Sequence, residues 1–123
     1  MEWTFNEDAP IYLQIVQQFK AQIASGRWQP GEKIPSVREL AAEASVNPNT
    51  MQKALSELER TGLVYSQRTS GRFITEDTKM IDDIKSEMAR EIISQFLENM
   101  QKLGFQKDEA VSLMKQTIEG DAK

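Results

Sequence analysis

Two helix-start signals lie only eleven residues apart in this chain, at Ser36 and at Asn47. Glu39 follows Ser36 by three residues, which is the pattern of a capping box, in which each side chain bonds the backbone of the other. Asn47 precedes Pro48, and proline suits the first helical position because its missing N–H costs no hydrogen bond there. With a tight turn at Ser45–Val46, this spacing predicts two short helices joined by a three-residue turn.

The flanking segments complete the predicted fold. Apolar residues at helical spacing predict a preceding helix over 11–25, and alternating residues predict a β-hairpin with strands at 63–66 and 72–74. Two more helices are predicted over about 81–103 and 107–119. The predicted fold class is therefore mainly α with a small β-hairpin. It is a winged helix-turn-helix over 1–76, followed by a C-terminal helical dimerisation region over 77–123.

Composition excludes several kinds of chemistry. The chain has no cysteine and no histidine, which removes thiol catalysis, thiolate zinc sites and the commonest general base. It also lacks a Gly-rich phosphate loop and an apolar run of membrane-spanning length. We therefore expect no enzyme, no metal or other cofactor, no membrane partner and, with no targeting segment at its start, a cytoplasmic location.

The charge distribution suggests a concentrated basic patch. The net charge is −4, yet the stretch from Lys33 to Arg72 holds six cations and four acids, a local net of +2. One copy with so few cations gains little from counterion release on DNA. If nucleic acid is the partner, this small local charge therefore favours binding by two copies together.

The second of the two short helices has a polar side of the kind that reads base pairs. Asn and Gln can bond adenine edges, and Thr and Lys suit phosphates or bases. These residues are Asn47, Asn49, Thr50, Gln52 and Lys53. The alternative is that Asn47 and Thr50 only cap the helix and that the rest is a solvated face.

Several motifs in order resemble the GntR family of bacterial repressors. They are Ile34-Pro35-Ser36-Val37-Arg38-Glu39-Leu40-Ala41, then Val46-Asn47-Pro48-Asn49-Thr50, then Ala54 and Leu58 before Gly62-Leu63. The resemblance covers Pro10 to Ile74, about half of the chain. It implies a DNA-binding winged helix-turn-helix.

The resemblance also implies which residues contact DNA. Ser36 and Arg38 correspond to positions facing the DNA backbone and groove edge, and Asn49, Thr50, Gln52 and Lys53 lie on the recognition helix. Arg38 could instead pair with Glu39 or Glu43 on the helix surface. The wing positions are Arg68, Gly71 and Arg72, but Thr69 and Arg72 stand where the family usually has Gly and Thr.

The C-terminal part resembles the short YtrA-type members of the family, in which paired helices form a dimer. Two helices do not enclose a ligand pocket of several hundred Å³ on their own. An apolar stripe at helical spacing is the expected dimer contact, unless this helix folds back as core of its own chain. Its members are Ile81, Ile84, Met88, Ile92, Phe96, Met100 and Leu103.

The sequence thus predicts a regulator of transcription, most simply a repressor. It is expected to bind a palindromic operator on double-stranded DNA as a homodimer, and the YtrA-type resemblance implies control of a transporter operon. The alternative is a winged-helix protein-interaction module without DNA binding, which would carry acidic or apolar residues where Arg38, Lys53 and Arg72 stand. Whether a small-molecule effector acts on it stays open at this point.

Overall fold

A computed structural model describes residues 2–121 as five helices and one two-stranded antiparallel sheet. The predicted fold class, mainly α with a small hairpin, is confirmed. In chain order the elements are α1 (Ile11–Ala24), α2 (Val37–Ala44), α3 (Pro48–Arg60), β1 (Val64–Gln67), β2 (Gly71–Ile74), α4 (Thr78–Lys102) and α5 (Lys107–Asp121).

Helices α1, α2 and α3 enclose the main core. Phe19 of α1 is fully buried and meets Trp3 edge-on, with ring centroids 5.5 Å apart. Helix α3 is amphipathic, and one whole side of it is 0% exposed, because its apolar residues recur at spacings of three and four. These residues are Met51, Ala54, Leu55 and Leu58. The opposite side of α3 is therefore the side available to a partner.

The hairpin folds back close to the start of α2. Strands β1 and β2 pair from Val64 with Ile74 to Gln67 with Gly71, which leaves a three-residue loop at 68–70. Gly71 has φ +106°, a conformation that residues with a Cβ rarely adopt, so glycine is required at this position. The other glycine that the family resemblance led us to expect in this turn is Thr69 in this chain. Lys33 forms a single bridge to Phe73, which brings the segment before α2 alongside the wing.

The described residues group into two compact units, one ending at Lys85 and one beginning at Ser86. The sequence prediction placed a boundary at 76/77, before the fourth helix. Helix α4 begins at Thr78 because Asp77 caps it, with Met80 N–H donating to Asp77 Oδ1 at 3.1 Å. Ile81 and Ile84, in the first turns of α4, pack into the core of the first unit.

Within residues 2–121, no helix combines the length and the apolar character that crossing a bilayer requires.

Candidate nucleic-acid interface

The start of α2 has the geometry expected from its sequence. Ser36 Oγ accepts from Glu39 N–H at 3.2 Å, and Glu39 Oε1 accepts from Ser36 N–H at 3.4 Å, which completes the capping box. Arg38 is exposed, and no carboxylate of the described chain forms an ion pair with it. The guanidinium therefore points to solvent with its five donors available.

The start of α3 is capped by Asn47, whose Oδ1 accepts from Asn49 N–H at 2.7 Å. This bond uses one of the two lone pairs of the Asn47 side-chain oxygen, and the amide NH₂ stays available to donate to a partner. Ser36 and Asn47 thus have a structural role as caps, whether or not they also touch DNA.

The outward side of α3 is a continuous polar strip. Thr50 is half-buried at its edge, and Gln52 Nε2 donates to Ser56 Oγ at 3.1 Å. Residues at these spacings share one face of a helix. The exposed members of the strip are Asn49, Gln52, Lys53 and Ser56. Ser56 was not singled out from the sequence, although its position seven residues after Asn49 is the signal that identifies it.

Lys53 is held by a contact with α1. Its Nζ lies 3.9 Å from the centroid of the Tyr12 ring, a cation–π distance. Tyr12 is half-buried against the core, so its position is set by packing. Sequence reasoning did not connect these two residues, because they are forty-one positions apart and only the packing of α1 on α3 brings them together.

The wing places cations and a cleft beside α2. Arg68 is exposed in the hairpin loop. A cleft of about 720 Å³ separates the wing from the start of α2, and its lining includes Lys33, Ser36, Ser70, Gly71 and Arg72. A Cβ built on Gly71 would lie 3.2 Å from Lys33 Cε, which shows how closely Lys33 approaches the wing. Lys33 was also missed as a site residue, since its pairing with β2 is tertiary.

Arg72 does not point freely into solvent. Its Nε donates to Glu59 of α3, and Ser66 Oγ donates to the same Glu59 oxygen at 2.9 Å. Partial burial of Glu59 raises its pKa, but these hydrogen bonds outweigh that effect and hold the pKa of Glu59 below its ordinary value. The side chain of Arg72 is 22% exposed.

Six cations lie between Lys33 and Arg72, and two of them are neutralised locally. Arg60 pairs with Glu57 inside α3, with Nε 3.0 Å from Oε2, and Arg72 pairs with Glu59. The remaining four have no carboxylate partner in the described part of the chain: Lys33, Arg38, Lys53 and Arg68. The positive charge is therefore concentrated near α2, α3 and the wing loop.

The predicted dimerisation stripe divides between the two units. Ile81 is 9% exposed and Ile84 is half-buried in the first unit, so both contribute to the core of their own chain. In the second unit Ile92 is 71% and Leu103 is 74% exposed. The other stripe residues are half-buried: Met88, Phe96 and Met100. Further exposed apolar residues of α4 and α5 are Ile93, Val111, Leu113, Met114 and Ile118.

Comparison with known sequences identifies the family. Residues 11–74 match the model of bacterial regulatory proteins, gntR family. The chain is 40% identical over 120 residues to the HTH-type transcriptional regulator YhcF of Bacillus subtilis (strain 168), covering 98% of this chain and 99% of that protein. It is 44% identical over 89 residues to the HTH-type transcriptional repressor YtrA of the same strain, covering 72% and 68%.

Solved structures agree with this assignment. A GntR family transcriptional regulator from Listeria monocytogenes is similar with a TM-score of 0.84 and 38% identity, over 91% of this chain and 98% of that chain. The DNA-binding domain of AraR in complex with operator ORX1 is similar with a TM-score of 0.56 and 30% identity, over 61% and 96%.

These matches confirm the resemblance to the GntR family and to its short YtrA-type members. The relatives are regulators of transcription, so the expectation that the chain is not an enzyme is confirmed as well. The chain belongs to the gntR family of bacterial regulatory proteins and is a transcriptional regulator of that family.

Proposed function

We propose that this regulator binds double-stranded operator DNA by placing the outward side of α3 in the major groove. The observation that carries the proposal is the division of α3 into a fully buried apolar side and an exposed strip of amides, hydroxyl and ammonium. Asn and Gln side chains have the donor and acceptor pairs that read base edges. The similar AraR domain was solved in complex with operator DNA, which supports DNA as the partner.

The cations supply affinity around this reading surface. Positive side chains near the groove release counterions from the phosphates, whichever base pairs lie beneath them. The proposed DNA contacts are Ser36, Arg38, Asn47, Asn49, Thr50, Gln52, Lys53, Arg68, Gly71 and Arg72, to which Lys33 and Ser56 are added. Cationic and amide side chains here favour DNA over the protein-interaction alternative.

We further propose that the active form is a homodimer held by the second unit, within the C-terminal region assigned from the sequence to residues 77–123. Ile92 and Leu103 are largely exposed in the single chain, and a large apolar side chain gains about 1.5–3 kcal/mol from full burial. A two-fold dimer covers the same patch on both copies. It would present two α3 helices to successive major grooves about 34 Å apart, and so predicts a palindromic operator.

Repression is the regulatory outcome that we propose, because occupancy of a promoter operator blocks initiation and a similar protein is named a repressor. The YtrA-type resemblance makes a transporter operon the first place to search for the site.

Binding is tested with labelled duplexes from the region upstream of the chain's own gene, compared with a scrambled duplex, over a series of salt concentrations. If all four unpaired cations of both copies contact phosphates, log K should fall with log salt with a slope of about −7. A footprint should show two symmetric protected half-sites. Equal affinity for operator and scrambled DNA, at every salt concentration, would reject specific operator binding.

The dimer is tested by sedimentation of the full chain and of Ile92→Glu, which places a charge on the exposed stripe. The matched control is Ser94→Glu, which adds the same charge to an exposed site two residues on, and so on the other side of the helix. We expect Ile92→Glu to be monomeric and Ser94→Glu to be dimeric at micromolar concentration. A monomeric wild-type chain would contradict the proposal.

A further inference from the structure

Three side chains from three different elements meet at one carboxylate oxygen between α3 and the wing. Glu59 lies in the last turn of α3, Ser66 lies on β1 and Arg72 lies on β2. Ser66 and Arg72 are directly opposite each other in the hairpin, and both donate to Glu59 Oε1. One carboxylate therefore ties both strands of the wing to the proposed recognition helix.

The partial burial of this cluster makes its ion pair strong enough to restrain the wing. The side chains of Arg72 and Glu59 are 22% and 31% exposed, so water screens their attraction less than it screens a fully exposed ion pair. Charge-assisted hydrogen bonds are also stronger and more directional than neutral ones. The contact is thus suited to hold an angle between the wing and α3.

The cluster also determines how Arg72 is presented. A guanidinium has five N–H donors in one rigid plane, and the bond to Glu59 uses Nε. The terminal nitrogens of the same plane remain able to donate, and their direction follows from the anchored Nε. The anchored Nε therefore determines in which direction Arg72 presents its remaining donors at the wing.

We infer that Glu59 is a positioning residue for DNA binding, which fixes the angle of the wing and the orientation of Arg72 against α3. The inference rests on the proposed operator binding and deepens it. Because the Glu59 carboxylate is bonded to Ser66 and Arg72, it can act through the wing without a DNA contact of its own.

Simple electrostatics makes the opposite prediction, which is why the inference is testable. Removal of an acid from a DNA-binding domain raises its net charge and should strengthen attraction to phosphates. If Glu59 positions the wing, its removal should weaken specific binding despite the gain in charge. The sign of the change therefore separates the two explanations.

The experiment uses the full chain with Glu59→Gln and, as the matched control, Glu57→Gln. Glu57 lies on the same helix and is also ion-paired, but its partner Arg60 lies in α3 rather than in the wing. We expect Glu59→Gln to lower affinity for the operator duplex by about fivefold to tenfold, the size of the net contribution of one ordinary hydrogen bond, because water partly screens this pair. Glu57→Gln should leave affinity unchanged or raise it slightly.

A second variant shows whether Glu59 acts through Arg72. In a double-mutant cycle, Glu59→Gln combined with Arg72→Gln should bind no more weakly than Arg72→Gln alone. Losses that add fully would mean that Glu59 acts independently of Arg72, and would overturn the inference. Operator affinity of Glu59→Gln equal to or above that of the wild type would overturn it as well.

A readout without DNA keeps this inference distinct from the proposed function. In the free protein, Glu59→Gln should speed hydrogen exchange of the hairpin amides between Val64 and Ile74, while the core amides of α1 keep their rates. Unchanged hairpin exchange would refute the positioning role even if DNA binding were proven. Failure of the wild type to bind any operator would instead refute the proposed function, whatever the exchange rates show.

Discussion

Ser45 is the residue of this chain whose replacement by glycine should most directly raise stability. It ends α2 with φ 56° and ψ 43°, and it is the only non-glycine residue between 2 and 121 with a positive φ. The chain reverses there in a Schellman motif, with Val46 N–H donating to the Ala41 carbonyl at 3.0 Å. Glycine adopts this left-handed conformation without a steric clash of its Cβ.

The expected magnitude follows from two opposing terms. The left-handed conformation costs a residue with a Cβ about 1–2 kcal/mol. Glycine loses more backbone entropy on folding, by about 0.5–1 kcal/mol. The difference leaves Ser45→Gly more stable by about 0.5–1 kcal/mol, which raises the Tm of a domain of this size by about 2–8 °C. The side chain of Ser45 is exposed, so no packing is lost.

Thermal and urea unfolding followed by circular dichroism measure this change. Ser45→Ala is one control, since it keeps the Cβ and should leave the free energy of unfolding nearly unchanged. Ser25→Gly is the second, because Ser25 ends α1 with φ −78° and glycine there should destabilise the fold. The reasoning fails if Ser45→Gly is no more stable than wild type, or if Ser25→Gly gains as much.

Two further predictions concern the DNA-facing side chains. Arg38→Ala should weaken operator binding by about 1–3 kcal/mol with an unchanged circular dichroism spectrum, because the unpaired guanidinium has no structural partner to lose; full affinity in a folded variant would rule out the contact. Tyr12→Leu should weaken operator binding by about 0.5–1 kcal/mol, because it removes the cation–π contact with Lys53. Tyr12→Phe keeps an aromatic ring and should bind the operator as tightly as the wild type. Equal losses of affinity in both variants, measured by fluorescence anisotropy, would show that the ring does not hold Lys53.

Local signals were sufficient to predict the helix-turn-helix. The capping box of Ser36 and Glu39, and the Asn47 cap with Pro48 at the first helical position, involve residues three or fewer apart. Such interactions form within one turn of the chain and depend little on what packs around it. The polar side predicted for the second short helix is likewise the exposed side of α3, because helix geometry alone places its apolar residues together on the other side.

The position of α4 shows where local signals were insufficient. Asp77 caps α4, so the helix begins at Thr78 and not near residue 81, where the apolar spacing predicted its start. Ile81 and Ile92 belong to the same apolar periodicity, yet Ile81 is 9% and Ile92 is 71% exposed. Periodicity defines a face of a helix, but which part of that face is covered depends on where the rest of the chain packs.

The side-chain partnerships of the proposed interface were decided only by the tertiary structure. From the sequence, Arg72 is predicted to be a cation of the wing. Its bond to Glu59 joins residues thirteen positions apart, which the pairing of β1 with β2 brings together. Lys53 meets Tyr12 only because α1 packs on α3. The sequence by itself therefore determined the order of the helices and the residue types at their surfaces, since both depend on short-range geometry. Which cations are paired, oriented or left available to DNA depends on contacts between distant segments, and folding alone brings those segments together.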